Sequence, residues 1–184
     1  MVLTKTPICN FGEKIKDFSL KGVDEKIYSL KDCVGKNGTL IMFICNHCPY
    51  VKAIIKDLVE DVNFLKKKEI GCVAIMSNDT QNYPEDSFEN MVHFSKLYGF
   101  TFPYLLDETQ KIAKEYGAVC TPDFFGYNNN FQLQYRGRIR ELKNLQPLKN
   151  GDSELRLAMN LIAKTQKGPK EQVPSMGCNI KWIK

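Results

Sequence analysis

Two periods of hydrophobic spacing divide this chain. Thr39-Leu40-Ile41-Met42-Phe43-Ile44 and Ile70-Gly71-Cys72-Val73-Ala74-Ile75-Met76 are apolar on both faces. Runs of that kind suit central parallel strands covered on both sides. Between them Val51, Ile54, Ile55, Leu58, Val59, Val62 and Leu65 recur at steps of three and four, and Lys66, Lys67 and Lys68 follow. This predicts an amphipathic helix with the charge that suits its C-terminus. Ahead of the first run, residues 17–20 and 26–30 flank a polar turn at 22–25 and predict a hairpin. After the second, Ser77-Asn78-Asp79 is a turn, and Pro84-Glu85-Asp86 opens a helix that runs to Gly99. A short strand over 102–106 comes next, then a helix over 108–116 capped by Asp107 and stopped at Gly117. Residues 119–127 and 131–135 read as strands joined by Asn128-Asn129-Asn130. A last helix over 153–165 precedes a Gly/Pro-containing tail at 168–184. Strands alternating with helices, then a hairpin and a helix, predict an α/β fold with a mixed sheet, in one domain over 1–184.

Composition narrows this without redirecting it. At 184 residues, 43% hydrophobic and 26% charged, the chain is an ordinary globular one, long enough for a single core. No apolar run approaches a membrane span, and Met1–Pro7 lacks the charged start and apolar stretch of a secretory signal. A net charge of +5 is modest, so neither nucleic acid nor membrane is expected as a partner. Seven cysteines, an odd number, argue for reduced thiols and a cytoplasmic protein.

Cys45 and Cys48 are the one pair close in sequence, in Cys45-Asn46-His47-Cys48, at the junction of a buried strand and a helix. Two thiols at that spacing in a first helical turn can close a disulfide. Unpaired backbone N–H groups and the helix dipole would favour a thiolate on Cys45, lowering its pKa from about 8.5 into a range of roughly 3.5–7.5. Asn46 and His47 would tune the pair. A His47 imidazolium beside the Cys45 sulfur would stabilise the reduced form and make the disulfide a better oxidant, at about 1.4 kcal/mol per 30 mV. A zinc site built from Cys45, Cys48, Cys120 and Cys178 is the competing reading, weakened because no second closely spaced ligand pair exists.

The chain resembles the thioredoxin-like superfamily in its AhpC/TSA-type redoxin branch. The likeness is carried by Phe43–Val51, Asn78-Asp79, Phe102–Gln110, Tyr116-Gly117-Ala118, Thr121-Pro122-Asp123, Tyr135–Ile139 and Gly177–Trp182. It implies a thioredoxin-like fold, a central mixed β-sheet flanked by helices, with an N-terminal β-hairpin and an inserted strand–helix unit. It also implies that Pro122 is a cis-proline facing the cysteine pair, leaving the Thr121 backbone open to pair with a bound substrate. The chain departs from thioredoxins at Ile44, where they carry Trp, and at Thr39, where they carry a buried acid.

The expected activity is thiol–disulfide exchange, with Cys45 as nucleophile and Cys48 resolving. The Cys45–Cys48 disulfide would be the redox group and no other cofactor is expected. Substrates would be protein or small-molecule disulfides and thiols, with a thioredoxin or glutathione system as upstream reductant and a potential less reducing than thioredoxin's. A peroxiredoxin-like thiol peroxidase and a zinc-stabilised binding module are the alternatives. Peroxiredoxins set their cysteine three residues after a threonine, whereas Met42 precedes Cys45 and Cys45 precedes Cys48 at that spacing. Cys120, two residues before Pro122, and Cys178, in the tail, are candidate extra redox partners. Cys72 reads as core, and His93 as packed or surface. Arg136, Arg138 and Arg140 read as an edge-strand alternation. The tail lysines, Lys181 among them, read as solvated, and Trp182 as a tail anchor.

Overall fold

The structure is a computed structural model and describes residues 2–184. Its centre is strand β4 (Gly38–Phe43), buried at every position as its two-faced apolar pattern requires. β4 pairs in parallel with β5 (Ile70–Met76), and β5 with β6 (Tyr104–Leu106). The hairpin β2 (Ser19–Gly22) and β3 (Ile27–Ser29) extends the sheet antiparallel beyond β6. On the other side β8 (Asp123–Tyr127) and β9 (Leu133–Tyr135) are antiparallel, giving the order β3-β2-β6-β5-β4-β8-β9.

Alternate side chains of β4, and that of Ile44, which follows it, feed two cores. Leu40, Met42 and Ile44 pack with the buried stripe Val51, Ile54, Ile55, Leu58, Val62 and Leu65 of helix α2 (Pro49–Lys66), and with residues of α3 (Phe88–Leu97) and α5 (Glu154–Thr165). Ile41 and Phe43 pack with Val73, Ile75 and Phe125 against Ile112, Ala113 and Tyr116 of α4 (Lys111–Tyr116). A one-turn helix α1 (Leu30–Cys33) and a small hairpin, β10 (Leu142–Lys143) with β11 (Gln146–Pro147), complete the connections. This is the thioredoxin-like α/β arrangement, a mixed sheet between two layers of helices. Among the described residues no helix is long and apolar enough to cross a membrane.

The structure departs from the sequence pattern in several places. The helix expected over 84–99 breaks. Pro84–Asp86 forms a 3-10 turn, and Ser87 restarts the chain as the N-cap of α3, accepting from the Asn90 N–H at 3.3 Å. α4 begins three residues late because Gln110 takes a left-handed conformation (φ 61°). Asp107 still accepts from the Ala113 N–H at 2.9 Å, so it serves the helix start from a distance. The single strand expected over 119–127 is cut by Pro122 into β7 (Cys120–Thr121) and β8.

The tail contains a strand, β12 (Met176–Asn179), which lies between β7 and the N-terminal strand β1 (Leu3–Lys5). Lys181 is buried beyond it rather than solvated. The arginine row is not an edge alternation either. Arg136 is buried on Asp123 at 2.9 Å, Arg140 stands 2.9 Å from the buried Asp57 of α2, and Arg138 reaches Glu154 at 2.8 Å. His93 is exposed beside Glu89, Cys72 is core, and Trp182 is partly exposed under the Lys114 ammonium.

Candidate functional site

Cys45 and Cys48 sit where β4 runs out and α2 starts. α2 begins at Pro49, so Cys48 is its N-cap and the motif precedes the helix instead of forming its first turn. The amides that would have faced the Cys45 sulfur are taken by another group. The N–H groups of Asn46 and His47 donate to Asp86 Oδ1 at 2.8 and 3.3 Å. Asp86, fully buried on the 3-10 turn, also binds His47 Nδ1 through Oδ2 at 2.6 Å and accepts from Asn78 Nδ2 at 2.7 Å.

Thr121 faces both thiols. Its hydroxyl lies 3.2 Å from Cys45 Sγ and its carbonyl oxygen 3.2 Å from Cys48 Sγ. The Thr121–Pro122 peptide bond is cis. Cys178 Sγ comes from β12 to within 2.8 Å of Cys48 Sγ. Cys45 and Cys48 are both 0% exposed and Cys178 is 1% exposed, so the thiols lie beneath the surface. Two clefts flank them. One, of about 240 Å³, is lined by Tyr50, Ile54, Pro122, Arg138 and Met176, and the other opens beside His47, Lys52 and His93.

Charge within the site follows from this packing. Burial holds the Cys45 thiol well above the ordinary range, assisted by its bond to Cys48 and by the Asp86 carboxylate, and opposed by the Thr121 hydroxyl. Cys48 is shifted the other way, lowered by its contacts with the Cys178 and Cys45 thiols against burial. Cys178 is pushed up by Cys48 and by burial. His47 is held beside a carboxylate. Its pKa is raised chiefly by the bond to Asp86, and the charge that bond favours is matched by the carboxylate.

Asn46 is placed by two bonds, from its Nδ2 to the Glu85 carbonyl at 3.1 Å and from the Tyr104 hydroxyl at 2.9 Å. Cys120 lies next to the site without joining it. Its thiol donates to the Pro122 carbonyl at 3.8 Å, and burial pushes its pKa up. The four cysteines Cys45, Cys48, Cys120 and Cys178 do not gather as a zinc set. The metal-type donors that do gather among the described residues are Cys45, His47 and Asp86, within 4.8 Å of one another. Both oxygens of Asp86 are already engaged by protein donors, so a cation there would have to displace the His47 bond.

Sequence reasoning missed Asp86 and the Thr121 hydroxyl. The first read as an ordinary acidic residue in a helical first turn. The one hint was Thr39, which leaves the usual acid position empty of charge and spends its hydroxyl on the Gly35 N–H at 3.3 Å.

Comparison with known proteins agrees with this architecture. Residues 11–142 match the AhpC/TSA family. An uncharacterized conserved protein from Geobacillus kaustophilus superposes with a TM-score of 0.94 at 38% identity, covering 100% of this chain and 97% of that one. A hypothetical protein from Sinorhizobium meliloti 1021 gives 0.90 at 36% identity and 98% coverage of both chains. Chloroplastic peroxiredoxin Q from Populus jackii is 27% identical over 157 residues, 83% of this chain and 69% of that protein. By its sequence and its thioredoxin-like fold, the chain belongs to the AhpC/TSA family of redoxins.

Proposed function

We propose that this redoxin is a thiol–disulfide oxidoreductase in which Cys45 is the nucleophile and Cys48 the resolving thiol. The observation that carries the reading is the convergence of both sulfurs on Thr121, next to Pro122, at 3.2 Å each. Cys45, as thiolate, attacks one sulfur of a substrate disulfide and the other substrate sulfur leaves as thiolate. Cys48 then attacks Cys45 Sγ, expels the second substrate sulfur, and leaves a Cys45–Cys48 disulfide. The neighbouring Cys178 and Cys45 thiols lower the Cys48 pKa, and the thiolate is the form that resolves a mixed disulfide. The disulfide is the only redox group this chemistry needs. An odd number of cysteines suits a reducing compartment such as the cytoplasm, where a thioredoxin or glutathione system would restore the dithiol.

The test is insulin disulfide reduction with single variants. Cys45→Ser should abolish it, and Cys48→Ser should accumulate mixed disulfides. Retained exchange in Cys45→Ser overturns the assignment.

A second reading, thiol peroxidase, is favoured by the Thr121 hydroxyl. It offers Cys45 from another element the group that Met42 does not supply, and a buried thiol is easier for a small peroxide to reach. Peroxide consumption that matches or exceeds disulfide exchange, and is lost in Cys45→Ser, would put this reading first.

A further inference from the structure

The proposed reaction uses two sulfurs, whereas the structure brings three together. Cys178 Sγ is 2.8 Å from Cys48 Sγ, closer than the ordinary contact of two thiols, and 130 residues away in sequence. Several features hold it there. β12 runs antiparallel to β7 with Cys178 directly opposite Thr121, and β1 clamps its other edge with Leu3 opposite Cys178. Gly177 lets the strands approach so closely: a Cβ at that position would lie 1.9 Å from the Thr121 carbonyl oxygen. Beyond β12 the Lys181 N–H donates to Asn78 Oδ1 at 2.9 Å, and the Lys181 carbonyl accepts from the fully buried Gln110 at 2.7 Å. Gln110 Oε1 accepts in turn from the Ile183 N–H at 2.8 Å.

β12 therefore occupies the backbone edge of Thr121 that an extended substrate would use, and it carries a cysteine. We propose that β12 is a built-in substrate strand and Cys178 a third redox cysteine, able to take over the disulfide as Cys48–Cys178. The inference rests on the exchange reading above. The step is an isomerisation. Cys178, having lost its proton, attacks Cys48 Sγ, forming the Cys48–Cys178 bond. The Cys45–Cys48 bond breaks, and its electron pair leaves on Cys45, which takes up the proton. One disulfide and one thiol are present before and after, so no further oxidant is needed. The outcome is an oxidised protein that keeps Cys45 as a thiol.

The experiment is oxidation of the full chain in a graded glutathione buffer, followed by acid quench, alkylation and peptide mapping of the wild type and Cys45→Ser. The proposal expects a Cys48–Cys178 link in both proteins, with Cys45 alkylated in the linked wild-type molecules. A wild type that holds its disulfide as Cys45–Cys48, with no Cys48–Cys178 link, overturns the proposal and leaves the exchange reading standing. A wild type whose Cys45 and Cys48 do not oxidise at any glutathione ratio overturns both. The wild-type measurement decides the matter even where the serine variant folds poorly.

Discussion

Thr121→Val isolates one interaction at the centre of the site. Valine has nearly the shape of threonine and keeps the β-branch, the strand backbone and the carbonyl facing Cys48, so the change removes one hydroxyl and little else. In the native protein that hydroxyl, 3.2 Å from Cys45 Sγ, favours the thiolate against burial and Asp86. A hydrogen bond to a charged group is worth about 1.5–3 kcal/mol, so its loss lowers the Cys45 thiolate fraction about 10- to 150-fold at any pH below the thiol pKa. The sign is fixed: burial already holds this thiol high, and the variant moves it higher. The assay is the pH dependence of Cys45 alkylation by iodoacetamide, with each cysteine followed by mass spectrometry. The rate should fall by that factor, and Thr121→Ser should restore most of it. A valine variant that folds normally and alkylates at Cys45 as fast as the wild type refutes the reasoning.

Two further outcomes follow from the buried charges. Asp86 raises the His47 pKa above its ordinary 6.5, so the stability gained from that pair is complete below pH 6.5 and lost as pH rises through the raised value. Urea midpoints should fall across that window in the wild type and stay level in Asp86→Asn, and identical profiles would count against the pair. Arg136→Met orphans Asp123, whose carboxyl burial already pushes up to about 6 even with the guanidinium beside it. The variant should lose about 3–5 kcal/mol of stability near neutral pH and less near pH 5, where the carboxyl is protonated. An equal loss at both pH values would show that the charge is not what Arg136 serves.

What could be read in the sequence was what local pattern encodes. β4, β5 and α2 announce themselves because burial on both faces, or along one stripe, dictates residue type every second or every third and fourth position. The cysteine pair is legible by spacing and Thr121-Pro122 by resemblance. β12 could not be read, because a four-residue strand has no period of its own and exists through pairing with β1 and β7. Asp86 was hidden by the break at Ser87, which turns an expected surface turn inward over the site. The period-two arginines suggested an exposed edge, since spacing says nothing about which distant carboxylate each will meet.

The placement of β12 has a consequence for the order in which this protein is made. Synthesis runs from the N-terminus, and domains gain structure in that direction. Cys45 and Cys48 leave the ribosome well before residues 176–179, and β1, made earlier still, must wait for those same residues to find its partner. Contacts that span so much chain form late, after the loop between them has been closed. A nascent chain thus presents its dithiol uncovered to every disulfide and oxidant nearby, and the cover arrives only once residues 176–179 have been translated.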